Sequence, residues 1–314
     1  MKKVFLSMFV ALMATVVAQA QQIAVVSGST TSTYKTLADA ITEAPAGSVI
    51  YLPGGGFPLS DDVKITKKLT IIGIGYNAES DNADGRTLIE GNLFFNAGSD
   101  DSAVMGCYIN GNVYIGDGSD KPEVDNILIK FCNLNSVQVQ NNSCLGTVVN
   151  QNLIRNVSVF NYAGGEITNN ILHSLYKLKN VDILYNVITS NYYYTFYACD
   201  DCTILNNVIL DWYGHSGSNC QISDNLLNGN WDNSTNMNSV DWNNVFENNA
   251  GVNPVSNYHF KDAYKQYESK YGIYGGTGFS DGQLPPVPYI SYKSVPTETD
   301  ASGNLHVNIT VNAK

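Results

Sequence analysis

Residues 149–154 read VNQNLI, and the frame returns as ITNNIL at 167–172, ILYNVI at 183–188, ILNNVI at 204–209 and ISDNLL at 222–227. Each copy sets an asparagine (Asn152, Asn170, Asn186, Asn207, Asn225) between a β-branched residue three positions before it and an apolar residue two positions after it. A weaker copy, DWNNVF, carries Asn244, and the successive spacings are 18, 16, 21, 18 and 19 residues. Upstream, cysteine fills the same slot at Cys132 (IKFCNL) and Cys107 (VMGCYI), and Asn92 (IEGNLF) extends the series.

One such unit cannot bury its own apolar residues, so copies near 20 residues apart must stack on one another. Runs such as VDILYNVITS are too short and too β-branched for helices, and no leucine-rich consensus is present. Asparagine tolerates the left-handed backbone region better than any residue but glycine, so each ladder asparagine is expected at the bend itself. Its amide can also hydrogen-bond to the next amide up the column. The chain is therefore expected to be all-β, a right-handed parallel β-helix of about nine or ten coils over residues 21–252.

The stretch before the repeats reads TYKTLADAITEAPAGSVIYLPGG at 33–55, VKITKKLTIIGIGYN at 63–77 and TLIEGN at 87–92. Leu37, Ala38, Ile41 and Ala44 form a helical stripe, Pro45 and Gly47 stop it, and Val49, Ile50 and Leu52 begin a strand. This order resembles the entry of right-handed parallel β-helix (pectin-lyase-like) proteins secreted by Bacteroidetes-type bacteria, and the resemblance spans most of residues 23–250. It implies an N-terminal cap, about residues 21–47, with a short helix over the open end of the core. The scaffold carries lyases, hydrolases, binding proteins and inert spikes, so the resemblance does not choose among activities.

Residues 1–20 have the form of a secretory signal: Lys2 and Lys3, an apolar run, then Ala18-Gln19-Ala20. Export to the periplasm, the cell surface or the medium is expected, with no transmembrane segment in the remainder. Losing the two signal lysines takes the formal charge from −11 to −13, which argues against nucleic acid and anionic membrane partners. Six cysteines in an exported chain raise the question of disulfides. Cys107 and Cys132 occupy one slot in consecutive coils and are expected to be buried free thiols, whereas the stacked pair Cys202 and Cys220 is left open. Residues 253–314 are expected to form a cap with Tyr258, Phe260, Tyr264 and Tyr267 over the last coil. A stiff linker (LPPVPYI) and a terminal strand (LHVNITVNA) would follow.

Two constellations could carry chemistry. ACDDCT at 198–203 and YGHSGS at 213–218 resemble the DDC and GHG motifs of polygalacturonase-type hydrolases, which implies Asp200 or Asp201 as the acid at a glycosidic oxygen. An NTD motif is missing upstream, His215 follows closely, and the only arginines, Arg86 and Arg155, precede the motif. A lyase would instead draw on a base such as Lys177, with Lys179 and His173 in its coil and Asp200, Asp201 and Asp211 in the next two. Ca²⁺ could then neutralise a uronate; no other cofactor and no metal-ligand cluster is read. The plain alternative is ordinary turn carboxylates.

The second constellation is aromatic. Six residues past successive ladder asparagines stand Tyr176, Tyr192, Tyr213 and Trp231, with Tyr193, Tyr194, Tyr197 and Trp212 alongside. One ring per rung, each with a polar edge, suits the apolar face and hydroxyl rim of a sugar chain. The alternative is an internal stack or a plain tyrosine ladder on the outer face. Glycan binding or a structural role is therefore expected, with a polysaccharide lyase or glycoside hydrolase as the competing reading.

Overall fold

The computed structural model describes residues 22–77, 85–117, 120–156, 159–160, 162–189, 194–230, 235–248, 257–279, 288–294, 298–300, 302–304 and 306–312. The chain winds into a parallel β-solenoid of about eight coils, slightly fewer than the repeat suggests. Among the described residues its walls are three sheets, of eleven, nine and six strands. The eleven-stranded sheet opens with an antiparallel pair, Ile23–Ser27 and Thr30–Tyr34, and runs parallel from Ser48–Tyr51 to Gln221–Ser223. The nine-stranded sheet runs from Gly55–Pro58 to Leu226–Leu227, and the six-stranded sheet from Leu93–Phe95 to Phe196–Tyr197.

The first sheet is built on the predicted column. Val104, Ile129, Val149, Ile167, Ile183, Ile204 and Ile222 are successive register partners, and all are buried. The entry helix spans Leu37–Glu43, with Thr36 capping the Asp39 amide and Leu37, Ala40 and Ile41 joining the core.

Where the first sheet turns into the second, the ladder forms. The Nδ2 of Asn152, Asn170 and Asn186 each donates to the next asparagine's Oδ1 at 3.0 Å, and Asn207 reaches Asn225 at 3.1 Å. Each Oδ1 also accepts a backbone N–H from the coil before, as Asn186 Oδ1 does from Asn170 N at 2.9 Å. Each Nδ2 donates to a carbonyl of the inward column; for Asn186 this is Ile167 at 2.7 Å. The cysteines imitate this weakly: Cys132 Sγ lies 3.7 Å from the Val104 carbonyl, and its N–H donates to Asn152 Oδ1 at 2.8 Å.

Three expectations about the ladder need correction. The left-handed residue is the one before the ladder residue: Phe131, Gln151, Asn169, Tyr185, Asn206 and Asp224 have φ of 52–58°. Asparagine is therefore selected by its amide, which satisfies backbone groups no water can reach, and not by the bend. Asn244 is exposed in a short 3₁₀ turn, and the last rung is Asn236, 3.4 Å from Asn225. Asn92 lies in a different corner, because Ile89 pairs with Ile109 on the second sheet, and Asn92 Oδ1 accepts from Asn112 N at 2.8 Å. Apolar-x-x-Asn-apolar describes any corner between two short strands, so the local frame could not tell these corners apart.

All six cysteines are free thiols, and only Cys220 is partly exposed. Burial pushes the thiols of Cys132 and Cys202 up to about 12.

The C-terminal segment departs most from expectation. The last five strands of the second sheet are apolar doublets (Leu153–Ile154, Ile171–Leu172, Val187–Ile188, Val208–Ile209, Leu226–Leu227), and both members of each are buried. Alternate residues of a strand face opposite sides, so this sheet must be covered outside as well as inside. Phe246, Tyr258, Phe260, Tyr271 and Ile273 provide the cover, packed with Leu153, Ile171, Val187, Val208 and Leu226. Tyr258 and Phe260 thus lie along the flank of the solenoid instead of over its last coil. From there the chain runs back along the coils as a strap. Lys270 pairs with Asp224 at 3.0 Å, Gly272 N donates to the Asn206 carbonyl at 2.8 Å, and Asn169 Nδ2 donates to the carbonyls of Ile273 and Gly275 at 2.8 Å. The terminal strand forms, as Asn308–Asn312, in an antiparallel hairpin with Tyr289–Ser294. Tyr289 and Ile290 of the expected linker therefore belong to a strand, and residues 284–287 lie outside the described residues.

Candidate functional site

One group of exposed tyrosines gathers at the last strands of the six-stranded sheet. Strands Leu175–Tyr176 and Phe196–Tyr197 pair in register, so Leu175 and Phe196 point into the core while Tyr176 and Tyr197 point outward. The rings of Tyr176 and Tyr197 lie 5.8 Å apart, and those of Tyr194 and Tyr197 lie 5.5 Å apart. Tyr194, Tyr197 and Tyr213 are 38 %, 41 % and 53 % exposed. A bridge between Phe196 and His215 aligns the next coil, which sets Tyr213 level with Tyr194. The Tyr213 N–H donates to Thr195 Oγ1 at 3.2 Å, which ties that corner to the neighbouring rung.

The expected column is thus partly realised with a different membership. Tyr197, not Tyr192, is the rung after Tyr176; Tyr192, Tyr193 and Trp231 lie outside the described residues. Counting from the ladder fails because the corner leading to this sheet varies in length: Leu175 is 5 positions past Asn170, but Phe196 is 10 positions past Asn186. Trp212 packs inward on one side. It is half-buried, its ring sits 6.2 Å from Phe196, and a Cβ on Gly229 would come within 2.5 Å of it.

The carboxylates of the DDC stretch serve the corner before the first sheet. Asp200 Oδ1 accepts from the N–H and the hydroxyl of Ser218 at 2.7 and 2.8 Å, and Asp201 Oδ1 accepts from Asn219 Nδ2 at 3.2 Å. The same arrangement recurs earlier: Asp125 N donates to Asp100 Oδ1 at 2.9 Å, and Asn126 Nδ2 to Asp101 Oδ1 at 3.1 Å. This is a second ladder, on the surface, with Asp201 in the left-handed region at φ 55°.

The Ser218 hydroxyl and amide hold Asp200 below the usual carboxylate range. A general acid at a glycosidic oxygen needs the opposite shift. Asp211 is shifted upward by burial, and its Oδ1 accepts from Asn228 Nδ2 at 3.4 Å. Burial lowers His215, with Asp200 pulling the other way, so these two groups sense each other. Lys177 is exposed at a left-handed corner, its N–H donating to the Tyr197 carbonyl at 2.7 Å. Among the described residues no set of His, Cys, Asp and Glu side chains is placed to hold a metal ion, and no helix is long and apolar enough to cross a membrane.

A cleft of about 420 Å³ that no repeat or motif foretold lies between the end of the strap and the outer face of the first sheet. Its one sequence signal was the doublet pattern of the second sheet, which calls for an outer cover whose edge must lie somewhere along the coils.

Compared with known proteins, the chain matches no family model, no curated protein and no solved structure. The fold therefore rests on the coils themselves: a parallel β-solenoid with an asparagine ladder at one corner, an aspartate ladder at another and a tyrosine face between them.

Proposed function

We propose that this chain is an exported protein of the pectin-lyase-like β-helix type that binds a glycan across the face made by Tyr176, Tyr194, Tyr197 and Tyr213. The observation that carries the reading is the cluster itself: Tyr194, Tyr197 and Tyr213 are well exposed to water, the Tyr197 ring lies 5.5 Å from Tyr194 in its own coil and 5.8 Å from Tyr176 in the coil before, and Tyr213 stands level with Tyr194 in the coil after. Exposed aromatic surface of this kind is costly in water and suits a partner with both an apolar face and a hydroxyl rim. Coils stack ~4.8 Å apart, so two rungs span about one sugar ring. The signal-like first 20 residues support placement in the periplasm or at the cell surface, where glycans are met. Binding is preferred to hydrolysis because Asp200 is shifted away from acid catalysis and is held by Ser218.

The test is retardation in native gels containing single polysaccharides, comparing the native protein with a Tyr194→Ala, Tyr197→Ala, Tyr213→Ala triple variant. All three side chains are exposed, so the variant should keep its far-ultraviolet spectrum and lose retardation. A folded variant that is retarded as strongly as the native protein would refute the assignment.

A further inference from the structure

The cleft beside the strap is a second site. Its floor is the outer face of the first sheet, in two columns that register pairing fixes. One column stacks Lys130, Asn150, Thr168 and Leu184, and the other Leu128, Val148 and Glu166. Its wall is rigid. Thr277 Oγ1 donates to Asn169 Oδ1 at 3.1 Å, and Gly276 lies so close to the Tyr185 ring that a Cβ there would come within 2.8 Å. The volume, about 420 Å³, is that of a small-molecule site.

Its chemistry is uneven in an informative way. Lys130 is half-buried, with its ammonium 4.8 Å from the centre of the Phe131 ring, and it has no carboxylate at ion-pair distance among the described residues. Burial lowers its pKa, the mark of a cation partly stripped of water. On the next two rungs Asn150 Nδ2 donates to Thr168 Oγ1 at 2.7 Å, an amide and a hydroxyl buried on a face where polar groups would ordinarily meet water. Leu128, Val148 and Leu184 complete an apolar floor. The exposed carboxylate of Glu166 stands in the other column, two rungs from Lys130, and would repel a second negative charge.

We infer that this cleft binds a small hydroxylated monocarboxylate, its carboxylate against Lys130, its hydroxyls against Asn150 and Thr168, and its carbon chain on the leucine and valine floor. The site lies on a different sheet from the tyrosines and stands whether or not they bind a glycan.

Isothermal titration of the purified protein with gluconate, glucose and propionate tests the assignment. Gluconate should bind saturably, and glucose and propionate more weakly, each lacking one half of the match. Lys130→Met keeps the aliphatic stem but removes the charge, and should weaken gluconate binding about tenfold to a hundredfold. Lys130→Arg should retain most of it, which separates lost charge from damaged folding. No saturable gluconate binding to the native protein, or equal affinity in a folded Lys130→Met variant, would overturn the proposal.

Discussion

Replacing Asn186 with alanine removes an interior rung of the ladder, and its cost can be worked bond by bond. Asn186 Nδ2 donates to Ile167 O at 2.7 Å, Leu184 O at 3.1 Å and Asn207 Oδ1 at 3.0 Å. Its Oδ1 accepts from Asn170 N at 2.9 Å and Asn170 Nδ2 at 3.0 Å. Not all of these partners are stranded by the change. Asn207 Oδ1 still receives the Asn186 N–H, and Asn170 Nδ2 keeps the carbonyls of Val149 and Thr168. The backbone N–H of Asn170 loses its ladder acceptor in a place closed to water, which costs about 1–3 kcal/mol. With the remaining lost bonds and the small cavity, Asn186→Ala should destabilise the chain by about 3–5 kcal/mol. Equilibrium unfolding in urea measures the total, and hydrogen exchange at the Asn170 amide locates it. A loss below about 1 kcal/mol, with Asn170 exchange unchanged, would mean that the ladder amides are not what holds this corner.

Two further outcomes follow from burial and backbone geometry. With iodoacetamide at neutral pH, Cys220 alone should react in the folded protein, because the other five thiols are buried and Cys132 and Cys202 titrate only near 12. All six should react after unfolding without reductant, and a shortfall would reveal a disulfide. Gly276→Ala places a Cβ at φ 59° and within 2.8 Å of the Tyr185 ring, so it should cost about 1–3 kcal/mol by thermal melting. An unchanged melting point would show that the strap is not seated on Tyr185.

How much of this was legible in the sequence depends on which corner is considered. The corner of Asn152 to Asn225 has a fixed geometry, with a left-handed residue and then an amide, so its period carries directly into register. The assumption that the bend selects asparagine fails because Phe131, Gln151 and Tyr185 occupy the left-handed position, where backbone strain is tolerated and no amide is required. The corner before the third sheet has no such constraint and changes length from coil to coil, which hid the pairing of Tyr176 with Tyr197. In the DDC stretch, Asp200 and Asp201 accept hydrogen bonds from the next coil as Asp100 and Asp101 do earlier, a structural use of paired carboxylates that only the register makes visible. The strap was hidden for another reason. Its partners are one residue past each ladder asparagine, a column that is apolar from Leu153 to Leu226 and that a covered sheet explains.

The most direct measurement follows the native protein with a panel of plant, host and microbial polysaccharides, with and without Ca²⁺. Retardation is scored alongside release of reducing ends and unsaturated uronates. A glycan-binding tyrosine face predicts retardation by at least one polysaccharide with no product of either kind. Product from any of them would make this solenoid an enzyme, and silence in every channel would leave the tyrosine face without a glycan to bind.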